Sequence, residues 1–129
     1  MDSIMTEEIR NIFITETSGQ LATISDMLDS EETISNEEGI VEKVFLTMHS
    51  IKGSSPMFGF QYLPLLALPV EKTFAKVRKG ELAISSELLD NTHCMVRHLQ
   101  TALQQKSDID LIEVSAKDEA MRYFKNLCS

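Results

Sequence analysis

Residues 38–60 read EGIVEKVFLTMHSIKGSSPMFGF, and this stretch indicates the fold class most directly. Its apolar residues recur every three or four positions, which predicts an amphipathic helix. The residues expected to face inward along it are Ile40, Val44, Met48 and Ile51. Pro56 and Gly59 then predict a break, because proline cannot continue a helix and glycine favours turns. Phe45, His49 and Lys52 fall to one side of the inward residues, so we expect His49 about midway along an exposed shoulder.

Helical periodicity continues on both sides of this stretch. A first helix is predicted over about residues 4–28, with its apolar residues at helical spacing at Ile9, Ile12, Phe13, Leu21, Ile24 and Leu28. Ser35 followed by Glu38 predicts a capping box at the start of the second helix. A third helix is predicted from Phe60 to Lys79, ending at Gly80. A fourth is capped by Ser85 or Ser86 and carries the apolar residues Leu88, Leu89, Met95, Val96, Leu99, Ala102 and Leu103.

A polar bend at 104–110 separates these helices from a last helical segment at about 108–127, with its apolar residues at Leu111, Ile112, Val114, Met121, Phe124 and Leu127. Antiparallel helices joined by short links favour a bundle. We therefore expect an all-α protein, an up-and-down four-helix bundle with a core at about 4–106 and an accessory C-terminal helix. That helix would pack on the outside or the end of the bundle, or lead towards a further domain.

Composition indicates a single globular domain over residues 1–129. The chain is 43% hydrophobic and 25% charged, with a net charge of −8. That charge argues against nucleic acid and against an anionic membrane surface, since both attract basic proteins. No apolar run approaches the ~18 residues of a membrane span, and the acidic N-terminus does not fit a signal peptide. We expect a cytoplasmic protein with Cys94 and Cys128 as reduced thiols.

His49, Lys52 and Gly53 lie three and four positions apart, so they share one face of the predicted helix. They combine a nucleophile, a positive charge and a gap without a side chain. A neutral imidazole can attack a phosphoryl group, and a nearby lysine attracts phosphate oxygens. Such a histidine needs one ring nitrogen facing solvent and the other bonded to an acceptor on a neighbouring helix. The pattern predicts a histidine that carries a phosphoryl group and is approached by another protein.

The segment MHSIKGSSPMFGF at 48–60 resembles the signature of histidine-containing phosphotransfer (HPt) domains. It is similar in particular to the version at the N-terminus of chemotaxis histidine kinases, and the resemblance spans roughly residues 4–103. It implies a four-helix phosphotransfer bundle without catalytic activity of its own. In such a bundle His49 would be phosphorylated and Lys52 would stabilise the phosphate.

The resemblance also implies an orienting residue for His49. In the chemotaxis-kinase domains a glutamate on the third helix ends a His-x-x-Glu pattern and bonds the histidine, and Glu71 matches it here. Leu68 replaces the auxiliary histidine of that pattern. Pro69 lies inside the predicted helix, where proline costs ~3 kcal/mol and tends to kink the chain.

The implied partners are a histidine kinase ATP-binding domain and a response-regulator receiver domain, whose aspartate takes the phosphoryl group. The expected partner-binding residues are Gly53, Phe45, Ser54 and Phe58. No bound cofactor or metal is expected, because Mg²⁺ would belong to the partner's active site. No glycine-rich nucleotide loop is present, so we expect a phosphocarrier rather than an enzyme. We expect a monomer, although the sequence leaves a dimer open. Whether the chain is a free relay protein or the phosphoacceptor domain of a larger kinase stays open.

Two other interpretations compete with this one. The first is a helical docking module for receiver domains that is never phosphorylated; the presence of His49 argues against it. The second is a metal or redox four-helix protein, suggested by His93, Cys94 and His98. Cys94 and His98 share a helix face, but two ligands do not make a tetrahedral zinc site. The inward Glu and Glu-x-x-His pairs of di-metal bundles are also missing from the sequence.

Overall fold

The computed structural model describes residues 6–29, 37–104 and 119–128. In these residues it contains five α-helices, which are α1 (Glu7–Asp29), α2 (Glu37–Ser54), α3 (Leu63–Arg78), α4 (Ser86–Gln104) and α5 (Glu119–Cys128). A short 3-10 helix, Ser55–Phe58, follows α2 directly. No strand occurs in the three described stretches. The predicted all-α class is confirmed.

Four of the helices form a closed bundle. α1 packs against α2 and α4, and α3 packs against the same two helices, with the α2–α3 interface the most extensive. α5 packs on the outside of this bundle against α3 and α4. Side chains from all five helices meet in one core, where the fully buried residues include Leu21, Met48, Phe74, Leu99 and Phe124. The four-helix bundle with an additional C-terminal helix is confirmed, while the extent of a single domain over 1–129 stays a prediction.

The inward face of α2 is the one that periodicity predicts. Ile40, Val44, Met48 and Ile51 are each at most 1% exposed. The helix ends at Ser54, and the 3-10 helix that follows closes on Gly59, whose φ is 88°. Glycine adopts this left-handed backbone readily, whereas other residues are strained in it. The predicted break at Pro56 and Gly59 is therefore confirmed.

The apolar stripe predicted on α1 is only partly buried. Leu21 and Ile24 lie in the core, but Ile9 and Ile12 are 41% and 58% exposed. These two isoleucines lie in the first turns of α1, where they line a shallow surface groove instead of a helix interface. The helix begins where the Thr6 Oγ1 accepts a hydrogen bond from the Ile9 backbone N–H at 3.1 Å.

α3 begins at Leu63, three residues after the predicted start at Phe60. Residues 60–62 are not helical, and Pro64 sits in the first turn of α3, where a missing N–H costs nothing. The C-terminal end matches the prediction, since Gly80 has a φ of 77°. α3 runs without interruption through Pro69, so the proline does not end the helix.

The structure also shows which of the two serines predicted to cap α4 does so. The Ser85 Oγ accepts a hydrogen bond from the Leu88 backbone N–H at 3.1 Å, so Ser85 is the capping residue. The predicted Ser35 capping box and the apolar residues at 111–114 lie outside the described residues. Among the helices that are described, none combines the length and the apolar content that crossing a membrane requires.

Candidate functional site

His49 projects from α2 into solvent. Its side chain is 61% exposed, while its neighbour Met48 is completely buried. This contrast follows from the helical repeat, because each step along a helix turns the side chain by about 100°. The predicted position of His49 on an exposed shoulder is what the structure shows.

One ring nitrogen of His49 is bonded to the neighbouring helix. The His49 Nδ1 lies 2.5 Å from the Oε2 of Glu71 in α3, and the Glu71 side chain is only 8% exposed. An ionised carboxylate can only accept hydrogen bonds, so Nδ1 carries the proton and donates it. In the neutral imidazole the other nitrogen, Nε2, then holds the lone pair, on a side chain that is largely exposed.

Lys52 forms an ion pair with the same carboxylate from the next turn of α2. Its Nζ lies 2.8 Å from the Glu71 Oε1, so the two oxygens of Glu71 face two different donors. Burial alone would raise the pKa of the Glu71 carboxyl, but the hydrogen bonds and charges of Lys52 and His49 outweigh burial and hold that pKa below its ordinary value. Glu71 is therefore ionised near neutral pH, as the Nδ1 tautomer requires.

The lowered pKa of Glu71 predicts how stability depends on pH. Because the folded state favours the ionised carboxylate, Glu71 stabilises the fold above the pKa of an unfolded glutamate, and this contribution is lost as pH falls through the lower, folded-state pKa. We expect the difference in free energy of unfolding between the wild type and Glu71→Gln to shrink steadily below about pH 5. Urea unfolding of both proteins between pH 7 and pH 3 measures this difference. A gap that stayed constant over that range would contradict the prediction.

Three further side chains continue the site towards the start of α2. The Phe45 ring stacks on the His49 imidazole, with centroids 6.0 Å apart and planes 13° apart. The guanidinium of Arg78, at the end of α3, lies 4.1 Å from the Phe45 centroid. The Arg78 Nε is in turn 2.7 Å from the Oε1 of Glu42. Sequence reasoning missed Glu42 and Arg78. The spacing of Glu42, Phe45 and His49 places these three residues on one face of α2, but Arg78 lies on α3.

The predicted partner-binding residues other than Phe45 lie on the opposite side of His49. Gly53 is exposed, and a Cβ built on it would have no atom within 4 Å. Ser54 and Phe58 are half-buried, and Phe58 stacks on Phe13 of α1 at 4.4 Å between centroids. Both line a shallow groove of about 260 Å³ whose other apolar walls are Ile9, Ile12 and Phe13.

The remaining candidates do not join the site. Leu68 is half-buried on α3, where its aliphatic side chain has no polar atom to offer a phosphate. The His93 Nε2 faces Ser25 Oγ at 3.2 Å and Asp29 Oδ1 at 3.3 Å. Within residues 6–29, 37–104 and 119–128, no three His, Cys, Asp or Glu side chains come together as metal ligands would.

Known proteins resemble the chain across the whole of this site. The Hpt domain family matches residues 8–108. The "Chemotaxis protein CheA" of Listeria monocytogenes is 31% identical over 97 residues, which is 75% of this chain and 16% of that protein. The protein of the same name from Bacillus subtilis is 30% identical over 112 residues, 83% of this chain and 17% of that protein. No solved structure shows significant similarity.

The chain therefore spans about one sixth of the length of the curated relatives it matches. The matched region contains the exposed histidine, the lysine one turn later and the glutamate that bonds them both. On this match the chain belongs to the Hpt domain family, the histidine phosphotransfer modules of two-component signalling.

Proposed function

We propose that His49 is the residue on which this phosphotransfer module is phosphorylated, and that its Nε2 is the reacting atom. The observation that carries the proposal is the bond from Nδ1 to Glu71, which leaves Nε2 of the exposed His49 side chain with a lone pair. The donor is a kinase ATP-binding domain or a phosphorylated receiver domain, and the acceptor is a receiver aspartate. The exchange takes place in the cytoplasm, and the Mg²⁺ it needs is held by the partner.

The transfer step does not require a base on this chain. The Nε2 lone pair forms the N–P bond while the bond from phosphorus to the leaving oxygen breaks, and that oxygen leaves as a carboxylate or as the terminal phosphate of ADP. Nε2 carries no proton, so none has to be removed. In the onward step a receiver carboxylate attacks phosphorus, the N–P bond breaks and the lone pair returns to Nε2.

Glu71 acts on this step through charge. When Nε2 bonds to phosphorus while Nδ1 keeps its proton, the ring becomes cationic. The Glu71 carboxylate lies against Nδ1 and is mostly buried, so it stabilises this charge where water screens it little. Lys52, which bonds the other oxygen of Glu71, is one turn from His49 and is proposed to attract the phosphoryl oxygens as well.

The partner is proposed to approach across Gly53 and the groove that contains Ser54 and Phe58. The exposed isoleucines of α1 extend this surface with apolar side chains, which typically form the centre of a protein interface. Phe45 would border it on the other side of His49. These positions lie on both sides of His49 along α2, and we expect one receiver or kinase domain to contact them together.

The direct test is phosphorylation of the folded chain. It is incubated with a chemotaxis-type kinase core and labelled ATP, or with a phosphorylated receiver domain. We expect acid-labile, alkali-stable label, and phosphorus NMR of the product should show the N–P bond at Nε2. No label from any of several donors would favour a docking module that is never phosphorylated, and a bond at Nδ1 would contradict the proposed geometry.

Gly53 provides a test of the docking surface. Inside a helix glycine costs about 0.5–1 kcal/mol relative to alanine, and no neighbour within this chain requires it. We expect Gly53→Ala to raise the free energy of unfolding by up to that amount, because Gly53 is one residue from the end of α2. We also expect it to slow phosphotransfer at least about fivefold, because an extra methyl group in a packed contact costs ~1–3 kcal/mol. Urea unfolding and the rate of labelling measure the two effects.

Gly19 in α1 supplies the matched control. It is also a helical glycine whose added Cβ would meet no atom within 4 Å, and it does not line the groove. Gly19→Ala should stabilise the fold to a similar extent and leave the transfer rate unchanged. Equal transfer rates for the two variants would remove Gly53 from the docking surface.

A further inference from the structure

A line of side chains connects the end of α3 to the proposed reacting histidine. On α2 the residues at 42, 45 and 49 occupy successive turns of one face, and on α3 the residues at 71 and 78 are two turns apart. Glu71 contacts His49 directly. Arg78 contacts Phe45, which lies between it and His49 in this line. The α2 face is therefore held by α3 at two points.

The single bond to Glu71 does not by itself define the plane of the imidazole. A ring that is 61% exposed and bonded at one nitrogen can still rotate about that bond, because the terminal torsion of histidine is broad. Side chains on a helix lean towards its N-terminus, so His49 leans towards the turn that carries Phe45. The near-parallel stacking of the two rings supplies the second contact that a fixed plane requires.

Phe45 is itself held in place from two sides. The Arg78 guanidinium lies over its ring, where the positive charge is attracted to the electron-rich face. Glu42, one turn before Phe45, fixes the guanidinium through contacts at 2.7 Å and 3.5 Å. The fork of arginine suits this task, since it bonds a carboxylate and stacks on a ring at the same time.

We infer that Arg78, acting through Phe45, is a positioning residue that keeps the His49 ring oriented for phosphoryl transfer. The inference rests on the proposed function of His49 and adds a residue far from it in the sequence. With the ring plane fixed, Nε2 points outwards before the partner arrives. Less orientation then has to be gained in the transition state.

The experiment compares five variants of the full chain with the wild type. Arg78→Gln removes the cation and Phe45→Leu removes the ring, whereas Arg78→Lys and Phe45→Tyr are conservative replacements. Lys79→Gln is the matched control, because it makes the same change in charge at an exposed neighbour of Arg78. The first readout is the set of imidazole carbon and proton resonances of His49 by NMR, which respond to the nearby ring. The second is the rate of phosphorylation.

We expect Arg78→Gln and Phe45→Leu to shift the His49 ring resonances and to slow phosphorylation about two- to fivefold, the size of one exposed cation–π contact. Phe45→Tyr should restore both readouts, Arg78→Lys should restore them in part, and Lys79→Gln should change neither. Unshifted ring resonances in a folded Arg78→Gln protein would overturn the inference. If Arg78→Gln does not fold, Arg78→Lys decides in the same way, because it weakens the contact with Phe45 while leaving the aromatic ring beside His49 in place.

The two readouts separate this inference from the function on which it rests. Ring resonances are recorded without any phosphate. A wild type that no donor phosphorylates would overturn the proposed function even if the ring resonances move. If Arg78→Gln and Phe45→Leu are phosphorylated as fast as the wild type, the proposed function stands and the positioning role is overturned.

Discussion

Replacing His49 by glutamine is expected to abolish the acid-labile label completely. A glutamine amide has no nitrogen lone pair available for attack on phosphorus, because that pair is delocalised into the carbonyl. The same amide can still donate a hydrogen bond to Glu71, so the buried carboxylate keeps a partner. Since the replaced side chain is largely exposed, we expect the free energy of unfolding to change by less than about 1 kcal/mol.

A second histidine variant is the control that shows whether the loss of label is specific to His49. His93 lies on α4, where it contacts Ser25 and Asp29 of α1 instead of the α2–α3 face. His93→Gln should therefore be labelled at the rate of the wild type. Label that persists in His49→Gln would assign the phosphorylated residue to another position and overturn the proposed site.

Glu71→Gln is expected to slow phosphorylation of His49 by about 10- to 100-fold, the range typical of losing a carboxylate that orients a metal-binding histidine. Glutamine has nearly the same shape but can donate through its amide as well as accept. Donation to Nδ1 places the imidazole proton on Nε2, which is then no longer nucleophilic. The variant also lacks the negative charge that stabilises the cationic phosphohistidine ring.

The measurement pairs the labelling rate with nitrogen NMR of the imidazole. Wild-type His49 should carry its proton on Nδ1, and Glu71→Gln should contain a substantial fraction protonated on Nε2. Glu81→Gln removes the same charge at an exposed position in the loop after α3, and it should leave both readouts unchanged. An unchanged rate in Glu71→Gln would mean that the bond to Glu71 does not contribute to the reaction.

Much of the site follows from local rules. The 3.6-residue repeat of α2 directs Met48 inwards and His49 outwards whatever packs on the helix, so the exposure of His49 was predictable. The end of α2 was predictable too, because Gly59 accommodates a backbone that other residues resist. Glu71 could be identified through the resemblance to phosphotransfer domains, although spacing along the chain does not place it beside His49.

Local sequence rules were a poorer guide to the features that depend on tertiary packing. The apolar period of α1 predicts that Ile9, Ile12 and Leu21 are all buried. In the structure Leu21 is in the core, but Ile9 and Ile12 are exposed beside a groove. Pro69 is expected to kink an isolated helix. In the folded protein α3 continues through it, with Pro69 and Val70 buried in the bundle, because tertiary packing provides most of the stability of a helix in a protein.

The sequence alone determined the all-α class, the inward and outward faces of α2, and the histidine, lysine and glycine that share its exposed shoulder. These features depend on residues within a few positions of one another. The tertiary structure decided which partners meet them, since the His49–Glu71 pair is 22 residues apart and the Glu42–Arg78 pair 36. Both pairs form only at one rotation and one axial register of α3 against α2. The packing of the whole buried core sets that register, and a repeat within a single helix does not encode it.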